Sequence, residues 1–407
     1  MSYRVALIAD NHFLKCGNAV YVNGTYTKQY LKRFTSNFDE LIVIARVKNS
    51  EKKEIKNLRE SGGERVEFCS LPDFYGVGNY LKQKKKLKEL MLKGLEDVDA
   101  IFVRMPCILT TLAFECAKTK HLPIMIDVGA DPDNIYRSAR TTLFELAISK
   151  YMMNVCKKNC MTANGVSYVT RDVLQRKYPC KAIKVGESVE YFTASISNAD
   201  ISGSFYEKSR DYSDISLNGV KLLHISNNIC ANSGKGHMEC IEVLKELVKS
   251  GINASITFVG DGDGIDDIKM LAEKYGLKDK VQFMGRIADR DKYKSVIMQH
   301  DIFLFPSHSE GLPRVLLETM ATGIVCISSN VDGIPEILDK DDIFNYSDSF
   351  GMAERIKMLI EKPELMNQIS LKNLEVSKKY SNENLKIEYD KYYGKVRKLI
   401  EQKRRMR

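Results

Sequence analysis

The feature that most constrains this chain is an alternation that runs through it twice. Short apolar runs rich in Val and Ile are separated by longer segments with helical periodicity. Runs of that length fit strands buried on both faces, and their alternation with helices implies a mainly parallel sheet covered on both sides. In the first half the runs are Arg4–Ala9, Glu40–Ala45, Val66–Ser70, Ala100–Arg104, Pro123–Val128, Cys160–Ala163 and Ser167–Thr170. Helical periodicity lies between several of them, as in Lys82–Leu95 and Thr110–Lys120. From Val189 to Asn218 Ser, Asp, Asn and Tyr dominate and the periodicity fades, which reads as a connection. The pattern then restarts. Strands are predicted at Val220–Ser226, Ser255–Gly260, Val281–Met284, Ile302–Phe305, Ile324–Ser328 and Ile343–Tyr346. Helices are predicted at Gly236–Lys249, Ile265–Tyr275, Arg290–Gln299, Leu312–Thr322 and Ser349–Lys362. A last helical stretch, Ser381–Gln402, fits either half.

The expected fold class is therefore α/β, with two doubly wound, Rossmann-like domains. We divide the chain into a first domain over 1–190, a connection over 191–218, a second domain over 219–380 and a basic C-terminal helix over 381–407. Ligands of open α/β sheets bind at the carboxyl ends of the strands, so two such domains facing across a cleft suit one substrate on each lobe.

Composition narrows the setting. Of 407 residues, 44% are hydrophobic and 28% charged, as in ordinary globular proteins. The first residues show no charged start followed by an apolar core, so no signal peptide is expected. No run approaches the ~20 apolar residues that span a bilayer. The ten cysteines form no CxxC pair and mostly sit in apolar stretches; Cys156 and Cys160 alone are too little for a metal site. A reduced, cytoplasmic protein without disulfides is expected. The net charge of +9 concentrates in Lys82–Lys88 and in Lys395–Arg407. These are either solvated helix faces or a contact with anionic lipid at the inner face of the cell membrane. With no Trp and no basic-aromatic recognition motif, nucleic acid is not an expected partner.

The chemistry concentrates in Phe303–Glu336, FLFPSHSEGLPRVLLETMATGIVCISSNVDGIPE, read as strand, loop, helix, strand, loop. Pro313 suits a first helical turn and Gly323 a left-handed helix end. A helix N-terminus after Glu310 and Gly311 would present free N–H groups to an anion, and Gly311 allows close approach to the backbone. Glu318 follows Glu310 by eight residues, about two helical turns, and can accept two hydrogen bonds from a diol.

Here the sequence resembles the retaining GT-B glycosyltransferases with an E-x7-E motif, a family 4-like group that includes bacterial surface-polysaccharide enzymes. Glu310 and Glu318 match the motif. The strand ending in Pro306 and Ser307 and the phrase Gly333–Glu336 fit the words around it. Lys235 and Gly236 look like the family's Lys-Gly pair, Val259–Gly262 like its V-G-x-G turn, and Phe283–Arg286 like its F-x-G-x loop. The resemblance implies that Glu310 contacts the donor hexose, that Glu318 holds the ribose, and that Lys235 meets the diphosphate. Gly311, Leu312 and Pro313 would border the donor, and Gly285 and Arg286 the nucleobase. Relatives usually carry an Arg shortly before the Lys. This chain reads SNNICANSG there, so either another cation such as Arg286 substitutes or the donor is held less tightly. In the first domain Arg104, Asp127, Asp131 and Gly17 fall at expected strand ends or turns and are acceptor-side candidates, with loop capping the competing reading for the two aspartates. Asn11 and His12 are weaker.

Other motifs fail on spacing. Asp261 and Asp263 lie inside the glycine turn, and no EF-hand spacing follows them. Gly260, Gly262 and Gly264 give GxGxG rather than the dinucleotide GxGxxG, which argues against a dehydrogenase. The resemblance implies transfer of a hexose from a UDP- or GDP-linked donor to a glycan or lipid-linked acceptor, with retention and without a metal or other cofactor, in polysaccharide biosynthesis. The alternatives are a nucleotide-sugar epimerase and a non-catalytic nucleotide-sugar-binding subunit.

Overall fold

The computed structural model describes residues 2–55, 58–136, 142–215, 219–230 and 234–406. The first sheet holds β1 (Arg4–Cys16), β2 (Ala19–Val22), β3 (Glu40–Asn49), β4 (Arg59–Ser61), β5 (Val66–Leu71), β6 (Ala100–Met105), β7 (Ile124–Val128), β8 (Gly165–Tyr168) and β9 (Phe192–Ser195). Its parallel strands run in the order β5-β3-β1-β6-β7-β8-β9. Residues Val5–Ala9 are buried, as a parallel strand covered on both faces requires.

Three departures from the sequence reading matter. First, β1 continues to Cys16, well past Ala9. The register shifts between Ala9 and His12, and the distal half pairs with Arg46–Asn49 of β3 and with β2, which in turn carries β4. Second, Cys160–Ala163 is no strand. It ends a helix, Leu143–Thr162, whose start is fixed by a capping box between Thr142 and Glu145. Cys156 and Cys160 are buried at i,i+4 spacing on one helix face. Third, β9 lies inside the expected connection. Farther along that segment Arg210 and Tyr212 already bond to the second domain, through Thr322 and Asp301. Residues 216–218 of the connection lie outside the described residues.

The second sheet follows expectation to within two residues at each strand end. It holds β10 (Val220–Ile225), β11 (Ala254–Val259), β12 (Val281–Phe283), β13 (Ile302–Phe305), β14 (Val325–Ser329) and β15 (Ile343–Phe344), all parallel, in the order β12-β11-β10-β13-β14-β15. The order reverses between β10 and β13. That reversal opens a crevice at their carboxyl ends.

The last helix, Asn382–Arg405, packs on the first domain. Tyr393 meets Phe34, Phe38 and Phe102 at 5.4, 5.3 and 5.7 Å between centroids. Gly165 makes room for Tyr392, whose hydroxyl would stand 2.8 Å from a Cβ there. Its basic residues are largely spoken for: Lys395 pairs with Glu187 and Arg404 with Asp99. No helix among the described residues is long and apolar enough to cross a membrane.

Candidate active site between the lobes

The crevice of the second sheet is built by loops that touch through glycine. A Cβ on Gly236, after β10, would stand 2.3 Å from the Pro306 carbonyl oxygen, after β13. Gly236 is also left-handed, at φ +80°. His308 N donates to the Gly234 carbonyl at 2.8 Å. The turn after β11 docks on the same loop, since Cβ atoms on Gly260 and Gly262 would collide with the carbonyls of Ser226 and Ile229. The Gly285 carbonyl accepts from Gly260 N. Residues 231–233 of the SNNICANSG segment lie outside the described residues.

This framework brings Lys235 and Glu310 together. Lys235 Nζ lies 2.7 Å from Glu310 Oε1, which also accepts from Ser307 Oγ at 2.8 Å. Glu310 is largely enclosed, whereas Lys235 is about a third exposed. Ser307 is fully buried and anchors the carboxylate. His308 is held beside them by Glu239 at 2.7 Å and by stacking on Tyr346.

Glu318 sits one side over and is engaged. Its Oε1 accepts from Arg290 at 3.1 Å and its Oε2 from the Tyr293 hydroxyl at 3.0 Å. Sequence reasoning missed both partners, because Arg290 and Tyr293 lie on another helix with no motif of their own. Arg286 is exposed beside the left-handed Gly285. The helix carrying Glu318 starts at Arg314 rather than Leu312 and has seven residues. Gly311 thus lies in a loop ahead of the first turn, not at a helix N-terminus. The loop is fixed instead by Asp332, which accepts from Glu310 N at 2.8 Å, and by Gly333 N donating to the Gly311 carbonyl at 2.9 Å. The side chains of Leu312 and Pro313 are buried.

The same loop meets the first lobe. A Cβ on Gly311 would stand 2.5 Å from the Gly129 carbonyl oxygen. Asn134 Nδ2 reaches Asp332 Oδ2 at 2.6 Å. Burial raises the Asp332 carboxyl above its usual range. Glu336 crosses the cleft as well, accepting the backbone N–H groups of Arg171, Asp172 and Val173. Glu336 was visible in the phrase Gly333–Glu336, but nothing in the sequence indicated that it caps a loop of the other lobe.

The first-lobe candidates separate. Asp127 is the counter-charge of two guanidiniums, Arg104 at 3.3 Å and Arg33 at 3.9 Å. Asp131 is buried among Lys177, Tyr178 and the Asp133 N–H, which makes it a cap of the loop rather than an open carboxylate. Gly17 turns the β1–β2 hairpin, with open space around it. His12 is held by Asp73 and stacks on Tyr75. Arg104 lies against the inter-lobe contact, its guanidinium resting on Gly129, and Asp131 is near enough to the second lobe to raise the Asp332 carboxyl.

Residues 230–374 match the family model described as Glycosyl transferases group 1. Protein CapJ of Staphylococcus aureus is 27% identical over 386 residues, covering 93% of this chain and 92% of that protein. An N-acetyl-alpha-D-glucosaminyl L-malate synthase of Bacillus anthracis is 28% identical over 179 residues, 43% of this chain and 45% of that protein. Among solved structures, HepE of Anabaena in complex with UDP superposes with a TM-score of 0.66 at 15% identity, covering 97% of this chain and 99% of that one. Sucrose-phosphate synthase of Thermosynechococcus elongatus gives 0.66 at 14% identity over the same shares. The chain thus has the GT-B fold of these structures and carries, over residues 230–374, a domain of the Glycosyl transferases group 1 kind.

Proposed function

We propose that the protein moves a hexose from a uridine-diphosphate sugar to a hydroxyl of a glycan or lipid-linked acceptor, with retention, in polysaccharide biosynthesis. The observation that carries this reading is the Lys235–Glu310 pair at the switch point of the second sheet. A sugar diphosphate seated there meets both groups. Lys235 offers a compact charge to the diphosphate, and its attraction grows as the leaving group gains charge. Glu310, anchored by Ser307, accepts from sugar hydroxyls. Glu318, with Arg290 and Tyr293, offers a polar wall for the ribose. Uridine is favoured over guanosine because structural neighbours were solved with UDP and UDP-glucose. The chemistry we infer runs without a divalent metal, since Lys235 supplies the positive charge, and turnover should therefore survive EDTA.

The acceptor side is the first lobe. Its helix Gly76–Gly94 exposes Leu81 along with Lys85 and Lys86, and Tyr75 and Val77 are exposed at its start. We place the contact with an anionic membrane there, on the cytoplasmic face. The last helix is less suited to it than its composition implied, because Arg404 is bound to Asp99 and to the Ser2 carbonyl. Lys85→Glu with Lys86→Glu is expected to abolish pelleting with anionic vesicles at low salt; unchanged pelleting would move the contact elsewhere.

The function itself is tested by UDP release from UDP-hexoses in the presence of a membrane glycolipid extract. Lys235→Ala and Glu310→Gln should each lower the rate about 100-fold or more, the usual cost of removing one electrostatic contact to a transition state. The anomeric configuration of the product, read by NMR, should match the donor. Isomerised donor without acceptor would instead indicate an epimerase.

A further inference from the structure

Arginines from three separate elements converge where the lobes meet. Arg104 is the last residue but one of β6, and its guanidinium lies close enough to Gly129 that a Cβ there would stand 2.8 to 3.1 Å from Nη2, Nε and Cζ. The Gly129 carbonyl in turn abuts Gly311 of the second lobe. Three residues on, Arg314 opens the Glu318 helix. Arg59 comes from β4, the antiparallel extension of the first sheet. Arg59 and Arg314 are exposed, and neither side chain has a hydrogen bond or ion pair among the described residues. Beneath them, Arg33 shares Asp127 with Arg104.

The nearby carboxylates do not balance this charge. Asp127 serves two guanidiniums. Glu318 is bonded to Arg290 and Tyr293, and Asp200 to Asn382. Arg314 registers the imbalance: partial desolvation of its guanidinium lowers its pKa, Arg104 and Arg59 add to this, and Glu318 and Asp200 oppose it. Clustered guanidiniums repel one another unless an anion lies between them, and their planar forks match phosphate or carboxylate two bonds at a time.

We propose that Arg59, Arg104 and Arg314 form an anion subsite on the acceptor side of the cleft, and that the acceptor carries a phosphate or carboxylate near the hydroxyl that receives the sugar. The inference rests on the glycosyl-transfer reading above and adds the acceptor's chemical class. Two of the three arginines belong to the first lobe, whereas the Lys235–Glu310 crevice belongs to the second. The subsite is completed only when Arg314 faces Arg59 and Arg104, so an anionic acceptor draws the lobes together.

The test uses the full-length protein, with inorganic phosphate and malonate as separate probes, each titrated by calorimetry with and without saturating UDP. Arg59→Gln and Arg314→Gln are both at exposed positions and are expected to fold; Arg104→Lys retains charge but loses the fork. With UDP bound, the wild type should bind one of the probes, and both glutamine variants should bind it at least ~10-fold more weakly while UDP affinity changes less than ~2-fold. The probe that binds tells phosphate from carboxylate. Equal probe binding in wild type and both variants, or no binding of either probe by the wild type, overturns the proposal. A fall in UDP affinity in Arg59→Gln also overturns it, because the cluster would then serve the donor. Failure of UDP to bind the wild type counts against the glycosyl-transfer reading; the subsite is then judged on the titrations without UDP.

Discussion

Gly311 sets how close the two lobes can come. Any side chain there would drive a Cβ into the Gly129 carbonyl oxygen, a backbone atom that cannot swing aside. Gly311→Ala is therefore expected to hold the lobes apart. A misplacement on the order of 1 Å costs roughly 100-fold in rate, so kcat/KM should fall by about that factor while UDP affinity, which the proposed function assigns to the second lobe, changes little. Steady-state kinetics beside UDP titration checks this; a variant with full activity would show that the lobes need not touch. Much of the site was legible at this scale. Glu310, Glu318 and Lys235 were singled out by the resemblance to the E-x7-E family, and the fold brings Lys235 and Glu310 into contact. Arg290, Tyr293 and Asp332 were not, and Ser307 was named only as a strand end, because a side chain that supports another across a fold leaves no periodic trace. Asp127 and Asp131 were ambiguous in the sequence for a related reason. A carboxylate at a strand end can face a substrate or a buried cation, and only the positions of Arg33, Arg104, Lys177 and Tyr178 decide between them.

At the scale of elements, the loop after β14 acts on the first lobe through Glu336, which accepts three backbone N–H groups at the start of the helix Val173–Lys177. Glu336→Ala leaves those donors to water. Activity should fall through a higher KM for the acceptor, with the donor KM within about twofold, because the residues released belong to the first lobe. β10 and the helix His237–Lys249 carry a second testable device. His224 and His237 are packed edge to face beneath the Lys235 loop. Burial pushes their pKa values down to about 3 and about 4. Such groups bind protons in the unfolded chain before they do in the folded one. Their stabilising contribution is complete above the ordinary histidine pKa of about 6.5 and is lost as pH falls below it. Near pH 5 each forfeits on the order of 2 kcal/mol. His224→Phe should flatten the acid limb of denaturant-derived stability by about that amount; an unchanged limb would mean that other groups set it. The strands of the second sheet were legible because each is a continuous apolar run. The short β2, β4 and β9 were not, since three or four residues are too few to show a period, even where alternate side chains such as Val20 and Val22 are buried. The run Cys160–Ala163 misled because three apolar residues and a threonine fit the end of a buried helix as well as a strand.

Across the whole molecule, the chain starts in the first lobe, builds the second, and returns. The last helix supplies Tyr392 and Tyr393 to the core of the lobe where the chain began. Its periodicity announced a helix, but its destination depended on Phe34, Phe102 and Phe192, far away in sequence. Removing residues 382–407 should expose that aromatic cluster and leave the first lobe insoluble, as judged by sedimentation and protease resistance, and would thus exceed the loss of a peripheral tail. The two sheets place their carboxyl ends against each other, with the Lys235–Glu310 crevice on one side and the cluster of arginines on the other. The central claim is that the Lys235–Glu310 crevice holds the donor, and calorimetric titration of UDP into wild type, Lys235→Ala and an Arg404→Ala control tests it most directly. The account expects micromolar-range binding by wild type and control and a loss of at least ~10-fold in Lys235→Ala, the scale of one charge-assisted phosphate contact. Equal UDP affinity in all three proteins would contradict it and move the donor away from the switch point.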